Sequence, residues 1–133
     1  MGRNKTTVVP SVKDAYLQFL DVEIFAFGGV GVANRPSQGE ILFQAVAART
    51  NALNLFTAAM TNGTAAAQLY SLCGIHKLAP TKYDAHAKDL MSSSDEVETL
   101  RGCIMVDETV PTVVKRISMG DYDKYVEKAV NNR

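Results

Sequence analysis

The amino-acid sequence predicts a mainly α fold: a compact array of about seven short helices in antiparallel, HEAT-like hairpins. One short extended segment is expected near residues 102–106. Three observations carry this reading. Apolar residues recur at i, i+3, i+4 and i+7 along most of the chain. Helix-start signals precede several of these runs, and Gly, Asn or Pro residues end them.

The first helix is expected after Pro10, where Ser11-x-x-Asp14 resembles a capping box with Asp in place of Glu. Val12, Tyr16, Phe19 and Leu20 share one face, and the apolar pattern continues through Phe25 and Phe27 until Gly28-Gly29-Val30-Gly31 stops it. Pro36-Ser37-x-x-Glu40 is the strongest start in the chain and should place Ile41, Leu42, Ala45 and Val46 inward. Thr50 or Asn51 can cap the next helix, bearing Leu53, Phe56 and Met60, with Asn62-Gly63 suited to a left-handed C-cap. Thr64 opens a third helix in quick succession, with Ala65, Leu69, Leu72, Cys73 and His76 on one side. Its alanines allow a neighbour to approach closely.

Pro80 fits the first position of a following helix, whose Tyr83, Ala87, Leu90 and Met91 face inward while Asp84 and Lys88 pair outside. Ser92-Ser93-Ser94 reads as a linker. Val97 to Val106 is ambiguous: Ser93-x-x-Glu96 favours a short helix ended by Gly102, and Cys103-Ile104-Met105-Val106 is β-prone. A turn of helix followed by extended chain is the expectation. Thr109 and Pro111 restart a helix through Val110, Val113, Val114 and Ile117, and Asp121 is expected to cap a last one with Tyr122, Tyr125, Val126 and Ala129.

At 133 residues and 47% hydrophobic content the chain can bury a core without staples. Residues 1–10 read as a loose arm and 11–133 as one helical domain. Fourteen basic and fourteen acidic residues cancel, so no broad field favours a phosphate backbone and nucleic acid is not expected as a partner. No apolar run approaches the roughly 18–20 residues of a membrane span. Arg3 and Lys5 resemble a basic leader start, but Pro10, Lys13 and Asp14 interrupt any apolar stretch behind them. The expected location is periplasmic or secreted if a leader was removed, and cytoplasmic otherwise. Met1-Gly2-Arg3-Asn4-Lys5-Thr6 formally fits a myristoylation signal, although a plain polar tail explains it as well.

The glycine cluster lacks both the Gly-Lys-Ser/Thr of a phosphate loop and the G-x-G-x-x-G spacing. Gly28, Gly29, Val30, Gly31, Asn34 and Arg35 are read instead as a turn-rich binding loop. The acidic residues Asp95, Glu96, Glu98, Asp107 and Glu108 match no calcium-loop spacing and read as a solvated face.

Cys73, His76, His86 and Cys103 form the sharpest chemical set. Four such ligands could close a zinc site, but the paired ligand spacings of structural zinc are absent. Cys73 with His76 or His86 as base would make a thiol enzyme, yet Cys73 falls well inside a helix on its apolar face. A disulfide between Cys73 and Cys103 is the third reading; closing a loop of about 30 residues would stabilise the fold by roughly 3–4 kcal/mol in an oxidising compartment. No cofactor, metal or catalytic residue is assigned from these alternatives.

The run Gly63-Thr64-Ala65-Ala66-Ala67-Gln68-Leu69-Tyr70-Ser71-Leu72-Cys73-Gly74-Ile75, with Phe27-Gly28-Gly29-Val30-Gly31 upstream and Arg101-Gly102-Cys103-Ile104 downstream, resembles a family of small exported bacterial proteins. That family is named after an accessory gene of a microcin production cluster. The resemblance covers roughly residues 25 to 120 and implies export, both cysteines at matching places and a link to bacterial competition. The functional expectation is therefore a non-catalytic bacterial protein-binding module, of an immunity or accessory kind, with another protein as its partner. The alternative is a small thiol- or metal-dependent enzyme using Cys73 with His76 or His86.

Overall fold

The computed structural model describes residues 12–31 and 34–131, the side chains of residues 12–14 excepted. The expected N-terminal arm, myristoylation signal and Ser11 cap, and the inward placing of Val12, lie outside the described residues. In chain order the elements are α1 (Val12–Leu20), β1 (Ile24–Phe25), α2 (Gln38–Ala47), α3 (Ala52–Asn62), α4 (Ala65–Leu78), α5 (Pro80–Met91), β2 (Glu96–Arg101), β3 (Ile104–Thr109), α6 (Val110–Ser118) and α7 (Asp123–Asn131).

The expectation of a HEAT-like array of helical hairpins with a single short extended segment near residues 102–106 is overturned. Seven helices share the described residues with a three-stranded sheet of order β1-β2-β3, in which β1 runs parallel to β2 and β3 antiparallel. A solenoid repeat touches only its sequence neighbours. Here α4 is central and meets α2, α3, α5, α6, α7, β1 and β2. Nine of its residues between Ala66 and Ile75 are buried, and only Gln68 on that stretch is partly exposed.

Local chemistry explains the helix starts that were legible. Thr64 Oγ1 accepts from Ala67 N at 3.1 Å, and the same hydroxyl donates to Val22 O. Thr64 N also donates to Leu20 O, so one residue starts α4 and ties down the end of α1. Thr109 caps α6 through Thr112 N, and Val110, Val113, Val114 and Ile117 bury the stripe that the sequence predicts. Pro80 opens α5, where its missing N–H costs nothing.

Other expectations need correction. The helix pattern running through Phe25 and Phe27 breaks after Leu20, because Ile24 and Phe25 pair with Glu98 and Thr99 in the sheet. Residues 97–106 form a hairpin with no helical turn. Ser93 does not build a capping box there; its hydroxyl accepts from Asp95 N at 3.0 Å, a local turn that competes with a helix. Gly63 is extended at φ −93°, not left-handed. Asn51 caps α3 with no side-chain hydrogen bond, and α7 starts at Asp123, after the expected Asp121. Ile41 and Met91 point outward at 47% and 40% exposure, on the polar flanks of otherwise buried stripes.

Of the three readings of the cysteines, the Cys73–Cys103 disulfide is not formed in this structure: both thiols are free. Cys73 faces the core from the middle of α4, whereas Cys103 sits exposed in the turn between β2 and β3. The bond's expected stabilisation does not apply.

The core holds an aromatic cluster. Phe43 stacks on Phe56 and Tyr70 at 5.3 and 5.8 Å, and Phe27 meets Phe43 and Tyr70 edge-on at 5.4 and 5.1 Å. Close helix approach depends on Gly74, where a Cβ would lie 2.4 Å from the buried Phe56 ring. Gly74→Ala should therefore lower stability by about 1–2 kcal/mol, overpacking outweighing the roughly 1 kcal/mol gained in helix propensity. Urea unfolding measures this; an unchanged or raised midpoint would mean that α3 and α4 can spread without cost.

Candidate interaction surface at the hairpin tip

Two glycine-rich turns from distant parts of the chain meet at one end of the sheet. Gly102, at φ +62°, takes the first place of the two-residue turn joining β2 and β3, where type II′ hairpins favour glycine. Residues 28–31 and 34–35 lie on the other turn, across which Val30 N donates to Arg35 O at 2.8 Å and Arg35 N to Val30 O at 3.2 Å. Gly31 N donates to Gly102 O at 2.9 Å, joining them.

Buried polar groups hold the root of the turn that starts at Gly28. Tyr70, fully buried, accepts from Ala26 N at 2.9 Å and donates to Ala26 O at 2.8 Å through its hydroxyl. Ser37 Oγ donates to the same carbonyl at 2.8 Å while accepting from Glu40 N at 3.1 Å as the α2 cap. The Glu40 carboxylate, in the first turn of α2, accepts from Gly28 N at 2.9 Å. Only 6% of Glu40 is exposed, and burial raises its pKa, against the opposing pull of the Gly28 hydrogen bond and the Lys128 charge. Gly28 adopts φ +84°, and a Cβ there would meet the Tyr125 hydroxyl at 2.8 Å. Phe27 stacks flat on Tyr125 at 5.6 Å. The turn thus leaves a rigid aromatic base.

Of the predicted binding-loop residues, Gly29, Gly31, Asn34 and Arg35 are exposed, while Gly28 and Val30 are half-buried. Sequence reasoning missed Ile104 and Met105, which project from the tip at 67% and 53% exposure. Their signal was present as two β-prone runs flanking Gly102, the signature of a hairpin, and the apparent capping box at Ser93 obscured it.

Beneath the sheet, Glu108 on β3 is the centre of a charged cluster. Its Oε1 lies 2.7 Å from Arg116 Nη2 and 3.6 Å from Arg101 Nη2, and its Oε2 accepts from Thr99 Oγ1 at 2.5 Å. Burial pushes the carboxyl's pKa up, but Arg116, Thr99 and Arg101 together hold it below the usual carboxylate value. The cluster pins α6 under the hairpin.

The Cys/His set is divided. Cys73 and His76 line a cavity of about 270 Å³ between α4 and α7 with Lys77, Asp123 and Glu127. His76 Nδ1 is 3.8 Å from Asp123 Oδ1, and its ring packs on Tyr83 at 4.5 Å. His86 lies half-buried on α5 and Cys103 at the hairpin tip, both outside that cavity. Burial, reinforced by the Asp123 charge, raises the Cys73 thiol pKa well above normal, which disfavours the reactive thiolate. Among the described residues no group of three or more His, Cys, Asp and Glu is arranged to hold a metal ion. No described helix is long and apolar enough to cross a membrane.

Across family models, curated proteins and solved structures, no match to this chain was found.

Proposed function

We propose that this chain is a protein-binding module that presents the joined 28–31 and 101–105 segments to its partner. The observation that carries this reading is the exposure of Ile104 and Met105, one on each face of the hairpin tip, which the Gly31–Gly102 hydrogen bond holds beside the 28–31 segment. A braced turn leaves its backbone little entropy to lose on docking, so burial of its large apolar side chains is offset mainly by their own rotamer ordering. The depressed reactivity expected of Cys73 supports placing the function at this surface rather than at the thiol. The resemblance to small exported bacterial proteins supports the narrower reading of an immunity or accessory protein, whose partner is a toxin or enzyme of bacterial competition.

Cys103 offers the test. In the native protein it should react with a thiol probe at least about tenfold faster than Cys73, since a buried thiol must await local opening. A photo-cross-linker placed on Cys103 should then trap one partner reproducibly from a bacterial lysate. Met105→Lys and Ile104→Asp should abolish that adduct while leaving circular dichroism and the unfolding midpoint unchanged. The same adducts from wild type and both variants would remove the hairpin tip from the function.

A further inference from the structure

Resting on the protein-binding reading, we infer that the outer face of the sheet docks a cationic segment of the partner, with an apolar anchor between lysine or arginine side chains. Val97 and Thr99 of β2 are buried against the helices, so the alternate residues Glu96, Glu98 and Leu100 face away from them. Register extends this outer face across all three strands. Ile24, Glu98 and Asp107 form one row, and Leu100 pairs with Met105 in the next toward the tip.

The face therefore has two parts. Ile24 and Leu100, with Val22 and Val30, line an open groove of about 410 Å³ that reaches the N-terminal turn of α2. Glu23 borders it, and Glu98 with Asp107 continues the sheet beside it. Like charges directly opposite one another work against strand pairing. Glu98 and Asp107 nevertheless stand as cross-strand partners. Among the described residues no lysine or arginine forms an ion pair with Glu23, Glu96, Glu98 or Asp107. Arg101, the basic residue of β2, is engaged with Glu108 on the opposite face.

Charge complementarity selects the occupant. The chain as a whole is neutral, so these carboxylates form a local negative field and not part of a general one. Positive charge brought over Glu98 and Asp107 relieves their repulsion, while an aliphatic side chain fills the Ile24–Leu100 groove. The N-terminal turn of α2 has the opposite polarity, but Ser37 and the Glu40 carboxylate already answer it. The groove is continuous with the proposed contact surface, since Val30 and Leu100 belong to the two turns' own strands and bridge.

The test uses the full chain, isotopically labelled, and two synthetic peptides of equal length. Both carry alternating leucines, one with lysine at the intervening positions and the other with glutamate. The lysine peptide should shift the amides of Ile24, Glu98, Leu100 and Asp107, and weaken about threefold to tenfold in Glu98→Lys. Added salt should weaken it similarly. Glu98→Lys should also raise the thermal midpoint, because it converts a like-charge pair into an opposite one; this shows that lost binding is not lost folding. Equal binding of the two peptides, no binding, or shifts confined to the α5–α6 surface would overturn the inference. Charge-independent shifts at Ile104 and Met105 would overturn it and leave the protein-binding reading standing, whereas failure of the Cys103 cross-link removes that reading.

Discussion

Tyr70→Phe is expected to lower stability by about 1–3 kcal/mol, although it deletes a single oxygen. The ring would stay in the aromatic cluster, so packing is nearly conserved. What disappears is the acceptor for Ala26 N and one of two donors to Ala26 O, at a residue only 4% exposed. Ser37 still serves the carbonyl, but the amide loses its hydroxyl partner. Burial already holds the Tyr70 hydroxyl protonated well above the usual tyrosine range, so the loss should be independent of pH through neutrality. Urea unfolding measures the magnitude, and amide exchange locates it. Faster exchange from Ala26 to Gly31, with α4 protected, is the expected pattern. Equal loss of protection everywhere would mean that Tyr70 supports the core generally and does not position the binding turn.

Glu108→Gln should cost about 1.5–3 kcal/mol at neutral pH, because it removes the counter-charge of a sheltered arginine while leaving the guanidinium in place. Its effect exceeds that of a surface pair because both partners are sheltered, Glu108 at 11% and Arg116 at 23% side-chain exposure. Arg116 Nε and Nη2 both lack a well-aligned hydrogen-bond partner, so the carboxylate's charge is what compensates the sheltered guanidinium. The pH dependence follows from linkage. The folded pKa of Glu108 lies below its unfolded value, so its contribution is present above the unfolded pKa and lost as pH falls through the folded one. Glu40 has the opposite sign: its pKa is raised, so its contribution is present below the unfolded value and lost as pH rises through the folded value. Wild type should therefore lose stability on acidification below about pH 4.5, the ordinary carboxylate value, and Glu108→Gln should lose less. Midpoints of urea unfolding across that range check the prediction. Parallel pH profiles would assign the acid sensitivity to other carboxylates.

Much of the helical part was legible because its signals are local. Ser37 and Thr64 bond to amides three residues ahead, and the valines of α6 repeat along one helix face, so a short window contains the cause and the consequence. The sheet was not legible for the opposite reason. β1 pairs with a strand more than 70 residues later, and nothing near Ile24 and Phe25 announces Glu98 and Thr99. Ser93-x-x-Glu96 has the letters of a helix cap, but its serine bonds within a turn.

The predicted site divides in the same way. The exposed, turn-forming character of Gly29, Gly31 and Asn34 is a property of the residues themselves, since few side chains tolerate φ +72° or +53°. The neighbour of that turn is not such a property. The sequence by itself determined the starts of α2, α4, α5 and α6, several core stripes, a turn after Gly28 and overall charge balance, all consequences of backbone preference and short-range spacing. Only the tertiary structure decided that Gly102 meets Gly31, that Cys73 and Cys103 stay apart, and that Glu40 turns inward to hold Gly28. Those outcomes depend on which distant surfaces pack together, and the free energy of that packing belongs to no single segment.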